Sequence, residues 1–192
     1  IQTVPDVIAA TPFVFRQVLL TAQSGVQGII LRGIDPKREA NVTELAKNIT
    51  AGQLLDLLTP VKVMQAPDDN PQGDLRAVEK PGIILGKELA MRLGVFVGDT
   101  VNVVSPVGPI SAMGMVPKIR TFAVVALFHS GMFEYDSSFA YIELGEAQKF
   151  FNLGTSVTGI EVKVTDVFRA GEIAHTIEQE LGFSHGARDW MQ

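Results

Sequence analysis

"TGIEVKVTDVFRAGEIAHTIEQELG", residues 158–182, holds two different periodicities in succession. Over 158–166 the period is two. Ile160, Val162 and Val164 share one face and Glu161 and Lys163 the other, which specifies a half-buried strand. After Asp166 the period becomes helical, and Ala170, Ile173, Ala174, Ile177 and Leu181 fall on one stripe. Asp166 supplies a short carboxylate to cap the helix start, and Gly182 stands where a helix commonly ends. The stretch therefore encodes a strand followed by an amphipathic helix.

The same signals recur upstream. "FVFRQVLL" (13–20) and "VQGIILRG" (26–33) read as strands, and "TAQSG" between them as a hairpin loop. Before them, "IQTVPDVIAATPFV" reads as a helix end at Val7 and Ile8 that passes through Pro12 into a strand. Asp35 followed by Pro36 starts a helix over "DPKREANVTELAKNI", and "AGQLLDLLTP" suggests another short one. "MQAPDDNPQGD" (64–74) is a polar turn cluster. "PGIIL" (81–85), "DTVNVVSP" (99–106), "TFAVVALF" (121–128) and "FAYIEL" (139–144) read as strands. "GKELAMRLG" (86–94) and "GEAQKFFNLG" (145–154) read as short helices ending at glycine. Strands and helices mix without regular alternation, so the fold class is α+β rather than a doubly wound sheet.

Composition narrows the chemistry. The chain has 192 residues, 46% hydrophobic and 19% charged, with a net charge of −5 and no cysteine. The acidic balance argues against a nucleic-acid partner. The missing cysteines exclude thiol catalysis, disulfides and cysteine zinc sites. No stretch reads as a membrane-spanning helix, because the apolar runs are short or broken by Pro and Gly. The ends read as those of a domain taken from a longer polypeptide, a loop domain between membrane spans.

A search for catalytic residues finds none, and no cofactor or metal is expected. "GIILGK" (82–87) is one residue short of a phosphate loop and is followed by Glu88 instead of Ser or Thr, so it reads as a strand-to-helix turn. "DDNPQGDLRAVE" (68–79) has a faint calcium-loop cadence, spoiled by Pro71 and by Arg76 at a ligand position. His129, His175 and His185 lack metal-ligand spacing, and no nucleophile elbow surrounds Ser130 or Ser184. Glu134 and Asp136 in "GMFEYDSS" read as loop residues.

One feature is left without a role. From Thr100 to Pro117 no side chain is charged, yet Pro106, Gly108, Pro109, Gly114 and Pro117 forbid a long helix. Lys118 and Arg120 close the run. Two readings stand. Val101, Val103, Met113, Met115 and Ile119 pack inward as a core hairpin. Alternatively the hairpin protrudes and its apolar tip, centred on Pro109, Ile110, Met113, Gly114, Met115, Val116 and Pro117, grips a partner.

"AATPFVFRQVLL…GVQGIILRGIDP", "GIILGKELAMRLGVFVGDTVNVVSP", "MGMVPKIRTFAVVALFHSGMFEYDSSFAYIEL", "GIEVKVTD" and the closing Arg188-Asp189-Trp190 together resemble the periplasmic domain of the lipoprotein-releasing permeases LolC and LolE, of the MacB-like class of ABC transporters. The resemblance covers essentially the whole chain. It implies a non-enzymatic periplasmic domain of a Gram-negative inner-membrane protein. The implied partners are a LolD-type cytoplasmic ATPase, a second permease subunit (the same or a different chain), the lipoprotein substrate and a LolA-type carrier. It implies a porter-like lobe from about 1–34 and 155–192 and a β-rich Sabre-like lobe from about 35–154. It places the Hook, a carrier-docking hairpin, at about 105–121, with Lys118 and Arg120 on its polar rim. A MacB-like efflux permease that docks an adaptor and an FtsX-like regulator of cell-wall hydrolases are the alternatives the resemblance leaves open.

Overall fold

Asp6, held at φ 69°, turns the chain into β1 (Val7–Ala22), which continues unbroken through Pro12. The computed structural model describes residues 1, 3–65, 74–106, 110–111, 114–182 and 186–189. The expected helix end at Val7 and Ile8 is therefore strand. Pro12 is tolerated because it lies just beyond the last pairing with β2 (Gly25–Ile34), which begins at Phe13 opposite Ile34. β1 and β2 pair down to Ala22 opposite Gly25, around a two-residue turn.

Asp35 caps α1 (Pro36–Val42) by accepting a hydrogen bond from Lys37 N, with Pro36 in the first turn. The helix does not run on to Ile49. It stops at Thr43, and α2 (Leu45–Asn48) leads into the short β3 (Ile49–Ala51). "LLDLL" forms a 3-10 turn over Leu54–Leu58. β4 (Val61–Gln65) and β5 (Arg76–Lys80) then pair as a separate antiparallel ribbon that flanks the polar cluster, whose residues 66–73 lie outside the described part. β6 (Gly82–Gly86), α3 (Lys87–Leu93), β7 (Thr100–Ser105), two short strands β8 (Ile110–Ser111) and β9 (Gly114–Met115), and β10 (Lys118–Phe128) follow. α4 (Phe133–Ser138), β11 (Phe139–Glu143), α5 (Leu144–Phe150), β12 (Gly159–Val164) and α6 (Ala170–Leu181) complete the order. Gly182 ends the last helix as expected, whereas Asp166 caps a 3-10 turn (Val167–Arg169) ahead of it and α6 itself starts after Arg169 without a side-chain cap.

Six strands close on themselves. β1 pairs β2, β2 pairs β11, β11 pairs β6, β6 pairs β10, β10 pairs β7, and β7 returns to β1. Each sends side chains into one interior, among them Leu20, Leu31, Leu85, Phe122, Val103 and Ile142. α3 and α5 add Leu89, Leu93, Ala147 and Phe150 to the same core. α5 lies directly on β2 at Gly33, where an added Cβ would stand 2.3 Å from the Ala147 Cβ. A second core covers the outer face of β6, β10 and β11, with Leu45, Leu54 and Leu57 against Ile84, Phe128 and Tyr141.

A third core joins the ends of the chain. Val4, Ile173 and Ile177 are buried there, with Ile1, Val7, Val162, Val164 and Ala187 packed around them. Every member falls within 1–34 or 155–192. The sheet itself runs across the proposed division, through β2–β11 and β1–β7.

Candidate functional site

The parity of β10 governs what the uncharged stretch presents. Phe122 and Val124 point into the barrel, so Lys118 and Arg120, four and two residues before Phe122, share their side of the strand. Both meet α5. Arg120 pairs with Glu146, whose other oxygen accepts from Lys149 Nζ at 3.0 Å. Lys118 Nζ donates to Asn152 Oδ1 at 3.1 Å and lies 5.5 Å from the centre of the Phe150 ring. The two cations therefore fasten the root of the hairpin to the body of the domain.

Ile119 takes the opposite side and is 63% exposed. The pairing registers place Ile119 opposite Val104 and Val104 opposite Leu19, which is itself 43% exposed. On β2 the row meets Gly28, flanked by the half-buried Ile30 and the exposed Val26. An apolar row thus crosses the outside of three strands at the foot of the hairpin. Cross-strand neighbours of this kind lie only about 5 Å apart, so the row is one surface.

The hairpin continues from this row. Pro106 and Val116 are exposed at its base, and β8 and β9 pair Ile110 with Met115 and Ser111 with Gly114. Pro109 and Met113 lie outside the described residues. An open cleft of about 660 Å³ runs along the root, lined by Arg16, Gln17, Ser105, Pro117, Phe151 and Asn152. It occupies the gap on the edge of β1 where β7 ends and β12 has not yet begun. Val101 and Val103 pack inward as the core reading holds, whereas Ile119 does not.

The other candidates resolve into structural contacts. Gly86, in "GIILGK", lies under the backbone of α4, where a Cβ would stand 2.1 Å from the Asp136 carbonyl oxygen. The glycine serves a close helix–strand approach and leaves no room there for a phosphate. Asp136 is not a loop residue. It sits in α4, is 1% exposed, and accepts from Ser130 N at 2.7 Å, Ser130 Oγ at 2.8 Å and His129 Nδ1 at 2.7 Å. Burial works against its ionisation, but these donors outweigh it and hold the carboxyl below the usual aspartate range. Both Ser130 and His129 bond to the carboxylate, so the group lacks the serine–histidine–aspartate relay of a hydrolase. No cluster of His, Asp or Glu with metal-binding geometry occurs among the described residues.

A second buried carboxylate was not legible in the sequence. Glu39 on α1 is 1% exposed, with Oε1 accepting from Thr43 Oγ1 at 3.2 Å and Oε2 unpaired. Burial pushes its pKa up against the pull of Arg32. Arg32 donates instead to Glu161 at 2.5 Å, across β1, and tops the Phe13 ring at 4.8 Å. The nearby Tyr141 phenol is pushed up to about 12, chiefly by burial. These groups join α1, β2, β11 and β12.

A family model described as the MacB-like periplasmic core domain matches residues 1–180. The chain belongs to this family. This MacB-like domain is 32% identical over 188 residues to "Lipoprotein-releasing system transmembrane protein LolC" of Neisseria meningitidis serogroup B, covering 96% of the chain and 40% of that protein. It is 30% identical to the LolC protein of Xylella fastidiosa strain Temecula1, covering 99% of the chain and 41% of the relative. The chain therefore spans about two fifths of the length of these relatives. Among solved structures, the extracellular domain of the noncanonic ABC-type transporter YknZ from Gram-positive bacteria superposes with a TM-score of 0.55 at 16% identity, over 98% of this chain and 81% of that one. The periplasmic region of MacB from Actinobacillus actinomycetemcomitans gives 0.52 at 15% identity, over 93% and 70%. The α+β class and the MacB-like architecture stand. The domain is a MacB-like periplasmic core domain that is similar to part of the LolC proteins.

Proposed function

We propose that this MacB-like domain is the non-catalytic periplasmic part of an inner-membrane ABC transporter permease that releases lipoproteins. In this reading it docks a LolA-type carrier through the hairpin at about 105–121. A LolD-type ATPase drives it from the cytoplasmic side of the full-length protein, and a second permease subunit completes the transporter. The supporting observation is the apolar row at the foot of the hairpin, where exposed Ile119 and Leu19 flank the half-buried Val104 on neighbouring strands. Exposed apolar surface continuous with a projecting hairpin suits a partner that offers an apolar mouth.

Pro109, Ile110, Met113, Gly114, Met115, Val116 and Pro117 are the proposed contact residues, now joined by Ile119 and Leu19. Lys118 and Arg120 hold the root to α5 and act through its rigidity. The test is calorimetric titration of the domain with the LolA-type carrier of the same organism, using wild type and Val116→Asp. Binding that the variant loses carries the proposal. Absence of binding by the wild type, with capture of a periplasmic adaptor in its place, favours the efflux reading suggested by the MacB-like fold.

A further inference from the structure

The outer face of β1 carries a buried group of polar side chains that the docking surface does not use. Thr11 stands opposite Glu161 of β12, and Phe15 opposite Arg32 of β2. β1 sends Val14, Val18 and Leu20 into the barrel, so Thr11 lies on the other face with Phe13, whose ring the Arg32 guanidinium tops. α1 packs on β1 and β12 here and brings Glu39 to the group. Thr11 Oγ1, Arg32 Nε and Glu39 Oε2 are all shut off from water without a hydrogen-bond partner among the described residues. Buried polar atoms are nearly always paired, so three exceptions in one place need a cause.

The cause is an imbalance of charge. Arg32 is the cation that acts on Glu39, and its guanidinium is already bonded to Glu161 at 2.5 Å. Asp35, at the cap of α1, adds repulsion. Tyr141 of β11 is neutral, because burial raises its phenol to about 12. The other charges around α1 act elsewhere: Arg38 on Asp35, Lys47 and Lys163 on Glu44, and Asp56 on the Gln53 amide. One guanidinium does not neutralise two carboxylates away from water. Glu161 is partly exposed and keeps the arginine, whereas Glu39 is 1% exposed and keeps a proton.

We infer that the Glu39 carboxyl is a proton-operated latch for α1: protonated, it lets the helix lie on β1 and β12, and ionised, it drives the helix off them. α1 is the element that yields. It has seven residues, too few to be stable without its packing, whereas β1 beneath it is paired with both β12 and β2. α1 also packs on the 3-10 turn Leu54–Leu58, whose Leu54 and Leu57 belong to the outer core. The docked helix therefore ties β12, and the chain-end core behind it, to the outer face of the barrel, and release loosens that tie. The sign follows from the proton. Below the ordinary 4.5 both forms hold it and the latch is closed; above 4.5 the open form ionises first, and opening grows until the pH passes the raised value of the closed form.

The test is hydrogen exchange followed by mass spectrometry on the full-length permease in its complex, in phospholipid nanodiscs, at about pH 4 and pH 7, with rates corrected for the intrinsic pH dependence of exchange. Wild type is compared with Glu39→Gln and Glu161→Gln. The expected result is that the α1 peptide (36–43) of wild type exchanges several-fold faster at the higher pH. Glu39→Gln holds it slow at both. Glu161→Gln, which leaves Arg32 to Glu39 alone, shrinks the difference. Slow exchange over β6 (82–86) shows that each variant is folded. Equal corrected exchange of the wild-type α1 peptide at the two pH values overturns the inference. So does a Glu39→Gln variant whose α1 peptide keeps the wild-type pH dependence.

Discussion

Ile119 and Arg120 are adjacent residues with opposite roles, and substitutions separate them. Burying an isoleucine side chain contributes about 1.5–3 kcal/mol, and a carboxylate in an apolar contact adds its own desolvation cost, so Ile119→Asp is expected to weaken carrier binding by ~100-fold or more. It leaves thermal stability nearly unchanged, because the side chain faces solvent in the free domain. Arg120→Ala does the reverse in order of cause. It breaks the pair with Glu146 and costs about 1–2 kcal/mol of stability, and any loss of binding follows from a loosened hairpin. Chemical denaturation beside calorimetry distinguishes the two. The buried carboxylates titrate in opposite senses. The folded pKa of Asp136 lies below its ordinary 3.8. The unfolded chain therefore takes up protons first, and the stabilisation present above that value is lost on acidification. Asp136→Asn removes this acid dependence and, by weakening the charged hydrogen bonds around Ser130, costs about 2–4 kcal/mol at neutral pH. The folded pKa of Glu39 lies above its ordinary 4.5, so its contribution is complete below that pH and declines as pH rises through the folded value. Glu39→Gln is expected to flatten the fall in stability as pH rises above the ordinary 4.5, read by urea unfolding. Asp136 was noticed in the sequence but read as a loop residue, and Glu39 did not stand out at all. "KREAN" gives no sign that Glu39 faces the sheet, since α1 is too short to show an apolar stripe.

At the scale of elements, α5 decides how firmly the hairpin is held. It reaches β2 only because residue 33 is glycine, and it receives both Lys118 and Arg120. Gly33→Val is expected to push α5 outward and destabilise the domain by about 2–4 kcal/mol. It should also raise hydrogen exchange across 144–152 and 116–120 together, a coupling that mass spectrometry can follow peptide by peptide. The long, strongly periodic elements were readable: β12 with α6, the β1–β2 hairpin, the fully buried β6 and the apolar second half of β10. Three features were not. "FEYDSS" has poor helix propensity, and α4 exists because Asp136 is anchored from outside by Ser130 and His129. β4 and β5 are short, half-exposed arms whose pairing depends on neighbours. Val7 and Ile8 looked like a helix end because Pro12 seemed to forbid strand, and only the distant β12 supplies the partner that makes them one. In the candidate site the hairpin was legible from its missing charges. Its outward face was not, although Phe122 and Val124 inside the barrel fix that parity for β10 before its register shift at 124–126.

For the whole molecule, the closed ring of strands gives a stiff body on which a hairpin and a cleft are mounted. A rigid body suits a part that transmits displacement, because packed cores deform little under load. The separate core at the chain ends is smaller and joins the main sheet chiefly through β12, so motion between the ends and the barrel is expected to concentrate near Thr158 and Phe13. The central claim is that the hairpin and the row beside it form the docking surface for a LolA-type carrier. The measurement that tests it most directly is a titration of that carrier against three proteins: wild type, Ile119→Asp and Phe96→Asp, the last an equally exposed apolar residue away from the row. The account predicts that wild type and Phe96→Asp bind alike and that Ile119→Asp does not bind, with all three equally folded. Equal binding by all three, or loss confined to Phe96→Asp, would contradict it.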